Sequence, residues 1–206
     1  MLRSNGDRTM SSILKVDQIQ TAAGGTPTAA GLGLNVSGSV LQVKNVVMTG
    51  IFSNSSAGSY VLVGDGTNSL QLSITVSSAT NKVIIYSNIN SHAHNRQGGA
   101  FVVIRGSSYN SSNVVSPPTS PGSRSITNIG DAWTGDGEGD DGMMMNISSI
   151  LNDTPGVGTH TYGIYCTTLA STQGGTRVNA AATDGDVDTQ DYLRAVSTFT
   201  LMEIAG

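Results

Sequence analysis

The sequence predicts an all-β protein, with an extended N-terminal arm followed by a two-sheet sandwich. Three observations carry that expectation. Glycines number 26 and aromatics make up only 5% of a chain rich in Ser, Thr, Asn and Val, a mixture poor in helix formers and rich in strand and turn residues. Short apolar runs recur between turn-forming clusters such as Gly64-Asp-Gly-Thr-Asn68 and Asn152-Asp-Thr-Pro-Gly156, the punctuation of successive short strands. No run has persuasive helical spacing; Met143-Met-Met-Asn-Ile-Ser-Ser-Ile-Leu151 comes closest, and a buried strand explains it equally well.

The arm is read as residues 1–44. Its apolar residues form two small clusters, Ile13-Leu14-Val16-Ile19 and then Leu32, Leu34 and Val36, separated by Ala22-Ala-Gly-Gly-Thr-Pro-Thr-Ala-Ala-Gly31. That is too little apolar area to offset ~1–2 kcal/mol per residue of backbone ordering, so residues 11–44 need a partner surface. Leu32, Leu34 and Val36 share one side at the two-residue period of a strand, which suits pairing with another arm or with a sheet edge. Met10 followed by Ser-Ser also reads as an alternative start.

The second region is read as residues 45–206. Strands are expected at 43–51, 60–63, 70–76, 82–90, 100–105, 143–150, 159–168, 176–181 and 193–204. That number of short strands in about 160 residues suits a sandwich of jelly-roll size. The closing strand carries the most detail. Val196, Thr198, Thr200, Met202 and Ile204 point one way, and Ser197, Phe199, Leu201 and Glu203 the other. Both faces hold apolar residues, so this strand belongs in a sheet whose outer face is also covered. In a single sandwich only a neighbouring subunit covers it. An oligomer is therefore expected, and a stable monomer with that face open to water would remove the argument.

Composition excludes several classes. With 37% hydrophobic and 12% charged residues, the chain should fold. Lys plus Arg is 10, scattered, and the net charge is −4, which argues against a nucleic-acid groove. No apolar stretch approaches the ~18 residues of a membrane span, and residues 1–10 lack the apolar centre of a signal peptide. Neither membrane insertion nor conventional secretion is expected. The single cysteine, Cys166, excludes an internal disulfide and reads as a buried small hydrophobe, because its segment supplies no basic neighbour.

Four phrases carry a resemblance: Leu14-Lys-Val-Asp-Gln-Ile-Gln20, Ala29-Ala-Gly-Leu-Gly-Leu-Asn-Val-Ser-Gly-Ser-Val-Leu-Gln-Val43, Ser78-Ala-Thr-Asn-Lys-Val-Ile-Ile85 and Val196-Ser-Thr-Phe-Thr-Leu-Met-Glu-Ile-Ala-Gly206. They resemble tail-fibre-like structural proteins of marine bacteriophages, especially those infecting cyanobacteria. The resemblance implies a C-terminal homotrimeric jelly roll of the tumour-necrosis-factor type. It also implies an N-terminal arm, residues 11–44, that attaches to other virion proteins at a tail adaptor or nozzle, or at the capsid. The insertions Ser116-Pro-Pro-Thr-Ser-Pro-Gly122 and Gly135-Asp-Gly-Glu-Gly-Asp-Asp-Gly142 depart from the family pattern and leave the receptor open.

Residues that could carry chemistry each have a plainer reading. His92 and His94 end a strand; on a threefold axis three such pairs could surround a transition metal, while the plainer reading is an exposed polar strand end. The acidic stretch 131–141 and the cluster Asp184, Asp186, Asp188 and Asp191 invite calcium, but neither follows a calcium-loop spacing, and solvated loops are the plainer reading. No nucleophile elbow, metalloprotease helix or phosphate loop occurs. No catalytic, cofactor or metal residue is therefore assigned, and no cofactor is expected. For recognition of a host glycan or protein, the candidate loops are 110–124, 131–142 and 174–178. Tyr109 and Trp133 are the candidate aromatic anchors; the plainer reading is that each packs its own loop.

The expectation is a non-enzymatic virion protein, a tail fibre or short fibre-like appendage that contributes to host adsorption on the particle surface. A capsid decoration or knob protein is the alternative. A surface-polysaccharide depolymerase ranks below both, because such enzymes need a longer solenoid to form a sugar groove.

Overall fold

The computed structural model describes residues 19–20, 23–27, 30–32, 36–93, 99–119, 122, 126–132, 144–168, 175–181 and 194–206. The chain divides into a unit of residues 1–35 and a unit of residues 36–206. In the first, the described residues include one 3-10 turn, Ala30–Leu32. Leu32 therefore sits in a tight turn and not in the strand expected of it. Ile19 and Leu32 are exposed.

The second unit is all-β among the described residues, apart from a 3-10 turn at Ser111–Asn113 capped by the Asn110 side chain. Its strands are β1 (Val40–Met48), β2 (Phe52–Asn54), β3 (Val61–Leu62), β4 (Gln71–Val76), β5 (Lys82–Ala93), β6 (Gly99–Arg105), β7 (Gly130–Ala132), β8 (Met145–Asp153), β9 (Gly158–Thr168), β10 (Thr176–Val178) and β11 (Ser197–Ile204). Every expected strand has a counterpart. Residues 40–44, read from sequence as the end of the arm, lie in β1. Two strands were not expected. Phe52–Asn54 is too short to show alternation, and Gly130-Asp-Ala132 has weak strand propensity and is held by pairing with β6.

All pairings between named strands are antiparallel. In the first sheet β11 lies between β1 and β5, β10 lies between β2 and β5, and β8 pairs with the other edge of β5. β1 and β2 thus run in succession along β11 and β10. In the second sheet β3 and β4 run in succession along one edge of β9, β6 occupies its other edge, and β7 flanks β6. The chain crosses repeatedly from one sheet to the other.

Alternation explains why the sheets stack. Val83, Ile85 and Ile89 of β5 and Phe199 and Leu201 of β11 point inward, where they meet Ile74 of β4, Phe101 and Val103 of β6, and Tyr162 and Ile164 of β9 in one buried core. Cys166 is buried in the same core, as its neighbours in sequence suggested. Gly99 of β6 comes so close to β10 of the other sheet that a Cβ there would overlap the Thr176 side chain.

Candidate subunit interface

The outer faces of the two sheets differ. That of the second sheet is coated by the chain itself. Val102 and Ile104 of β6 and Tyr165 of β9 are buried there with Val114, against Tyr60, Leu62, Tyr109 and Ile126. The coat is pinned by Asn128, whose side chain donates to the carbonyls of Val103 and Val115 and accepts from the Val103 N–H at 2.8 Å. Strands buried on both faces need such a cover, and here residues 106–119 help supply it.

The first sheet's outer face has no comparable coat among the described residues. On β11 the inner residues Ser197, Phe199, Leu201 and Glu203 are fully buried, while Thr198, Thr200, Met202 and Ile204 are only half-buried. The register sets out the surface. Met202 lies between Val43 of β1 and Ile84 of β5; Thr200 lies beside Tyr86, which pairs with Ile150 of β8. Val43 is 54% exposed and Ile150 is 71% exposed. This half of the face is a contiguous apolar patch, with Lys82 at its corner opposite Ile204.

The other half is polar and already internally bonded. Asn146 donates to the side-chain oxygens of Asn88 and Asn90 at 2.6 and 3.0 Å, and Ser148 donates to Asn146. Asn45 donates to the Thr200 hydroxyl at 2.7 Å. The face carries no carboxylate among the described residues, so a second copy could approach it without burying an unpaired negative charge.

The residues singled out from sequence are dispersed. His92 is 1% exposed, which overturns its reading as an exposed strand end; it sits on β5 opposite Arg177 of β10. His94, Trp133, residues 133–141 and the cluster 184–191 lie outside the described residues. Among the described residues no group of three or more His, Cys, Asp and Glu side chains could hold a metal. Tyr109 stacks on Tyr60, a residue of another segment, with ring centroids 4.0 Å apart, and burial pushes its phenol pKa up. The proposed loop 174–178 is largely strand β10, with Thr176 and Val178 buried, because it pairs with β2 and β5 at once.

Three polar clusters escaped the sequence reading. Glu203, 1% exposed, accepts from Gln42, from the Ser77 N–H and hydroxyl, and from Asn81 at 2.6–2.8 Å. Asn179 bonds the Met48 and Gly50 carbonyls and accepts from the Ser197 hydroxyl. At one end of the sandwich Asp153 Oδ2 receives both the Arg105 guanidinium at 3.0 Å and the Tyr162 hydroxyl at 2.9 Å. Partners lie up to 161 residues apart in the first cluster, 131 in the second and 48 from Asp153 in the third, so no local motif announces them. A glutamate in an otherwise apolar alternating strand is the one signal that could have flagged the first.

Among the described residues no helix is long and apolar enough to cross a membrane. No protein-family profile matches the chain, and no curated protein matches it.

Proposed function

We propose that this is a non-enzymatic structural protein of a bacteriophage particle, a tail fibre or short fibre-like appendage. On this reading a homotrimeric jelly roll projects from the virion and residues 11–44 anchor it to other virion proteins. The observation that carries the reading is the contrast between the two outer faces: one is coated by the chain's own loops, while the other leaves Val43 and Ile150 exposed and Ile84 and Met202 half-buried. A patch of this kind is a mark of an association surface, and identical copies are the partners that meet such a face symmetrically.

The strand order supports the finer fold assignment. Taking β1 with β2, β3 with β4, and β10 with β11 gives eight strands in two four-stranded sheets, in which successive strands alternate between sheets wherever β6 and β7 do not adjoin. That order supports reading the sandwich as a double Greek-key jelly roll. The family resemblance of the terminal phrases supports the virion setting and the number three, and adsorption to a host surface is the role it implies.

Two measurements test the proposal. Light scattering on the purified protein should give three times the 21.1 kDa chain mass; a stable monomer at micromolar concentration rejects the assembly. Labelled antibody viewed by electron microscopy on intact particles should mark the tail. Label distributed over the capsid shell would instead support a decoration protein.

A further inference from the structure

Beside the Arg105, Asp153 and Tyr162 trio, one end of the sandwich opens into a cavity of about 240 Å³. Ser112, Asn113, Val114 and Pro117 complete much of its wall. We propose that this cavity binds one neutral pyranose unit of a surface glycan, gripped through two adjacent hydroxyls by Arg105 and Asp153. The inference deepens the adsorption role above and rests on it only for the source of the sugar.

The polar groups suit a diol. The Arg105 side chain is 44% exposed and, among the described residues, makes one ion pair, through Nη1 to Asp153, which leaves further donors of its five-donor fork. Asp153 Oδ2 takes two donors, while Oδ1 takes none among the described residues. A sugar hydroxyl can therefore donate to Asp153 Oδ1 while its neighbour accepts from Arg105. Both contacts are charge-assisted, the stronger kind. Because the pair is neutral overall, it holds no excess positive charge for a carboxylate or phosphate.

The rest of the cavity fits the same ligand. Pro117 is the exposed apolar residue of the lining and offers a contact for the C–H face of a ring, while Val114 and Val115 are buried behind it. The volume falls below the ~300–1,000 Å³ of sites for drug-sized ligands, which limits it to a single ring. The wall is also held in advance of binding. Val115 N–H bonds the Val103 carbonyl at 3.0 Å, and the Ser116 hydroxyl bonds the Asn152 carbonyl at 3.2 Å. Ser116 adopts φ 48°, a left-handed conformation unusual for a residue with a side chain. Such strain is retained where surrounding contacts over-determine the backbone, and it concentrates at ligand clamps.

The test titrates the full-length protein, by saturation-transfer NMR, with methyl glucoside, methyl mannoside and methyl galactoside, with acetate and phosphate as anion controls. At least one glycoside should bind with Kd of ~1 mM, weakened about tenfold or more in Arg105→Gln. Asn113→Ala, an exposed change that leaves the trio untouched, should weaken the same glycoside, and circular dichroism confirms that both variants are folded. Silence from all three glycosides, binding unchanged in both variants, or preference for the anions overturns the site. If the glycosides fail but the protein assembles and labels the particle, the virion reading stands without this site. If they bind but the particle is unlabelled, the sugar site stands and the virion reading falls.

Discussion

Asn179 donates its side-chain N–H to the Met48 carbonyl at 2.7 Å, tying the end of β1 to the residue that follows β10. The same amide reaches the Gly50 carbonyl at 3.0 Å and receives the Ser197 hydroxyl at 2.6 Å. Two neighbouring strand segments break at one level of the sheet, and one buried side chain satisfies the polar groups that both breaks release. Asn179 holds φ 65° to do so. Asn179→Ala loses these bonds, at ~1–3 kcal/mol for buried groups left unpaired. It also loses Asn's tolerance of the left-handed region, worth ~1–2 kcal/mol. Asn179→Gly loses only the bonds. Urea unfolding should rank wild type above Asn179→Gly above Asn179→Ala; equal losses would show that the backbone conformation contributes nothing.

Glu203 makes stability fall in acid. Burial opposes its ionised form, but the Ser77 N–H, Gln42, Asn81 and the Ser77 hydroxyl together outweigh burial and hold its pKa down at about 2, against 4.5 ordinarily. The folded pKa is depressed, so the contribution is complete above about pH 4.5 and is lost as pH falls towards 2. In Glu203→Gln that part of the pH dependence should flatten, with the variant less stable at neutral pH. Melting curves across this range check both statements.

Tyr162 acts in the opposite direction. Burial first, then the Asp153 carboxylate, pushes its phenol far above the ordinary value of 10. The folded pKa is raised, so its contribution is complete below about pH 10 and declines as pH rises above it. Among the six tyrosines, Tyr162 should stay un-ionised in the folded protein when ultraviolet absorbance is followed to high pH. In Tyr162→Phe the number of tyrosines that ionise before unfolding should not change; a drop by one would contradict the assignment.

Adjacent residues of β11 should give contrasting outcomes. Met202→Lys alters the half-buried outer face and Leu201→Lys the fully buried inner one. Leu201→Lys puts an unpaired charge in the core and should prevent folding. Met202→Lys should leave circular dichroism and monomer stability within ~0.5 kcal/mol while reducing the scattering mass to one chain, since like charges would face each other in every copy. An unchanged mass would place the subunit contact elsewhere.

The inner and outer faces of β11 were legible because a strand's period of two is rigid: Phe199 and Leu201 share a side whatever they pack against. Cys166 was legible for the same reason. His92 was misread because burial at a strand end depends on what comes to cover it. Tyr109 was left open because its partner, Tyr60, is 49 positions away and unmarked by any local pattern. The Arg105–Asp153–Tyr162 trio was not legible at all, since its members share no local spacing.

The amino-acid order by itself determined the β class, nearly every strand and the double-sided apolar character of the closing strand, because these follow from local propensity and alternation. Only the tertiary structure decided which outer face is coated by its own loops and which polar side chains converge on Glu203, Asn179 and Asp153. Those outcomes depend on antiparallel pairings between distant segments, and the geometry of such a contact exists only once the sheets have stacked.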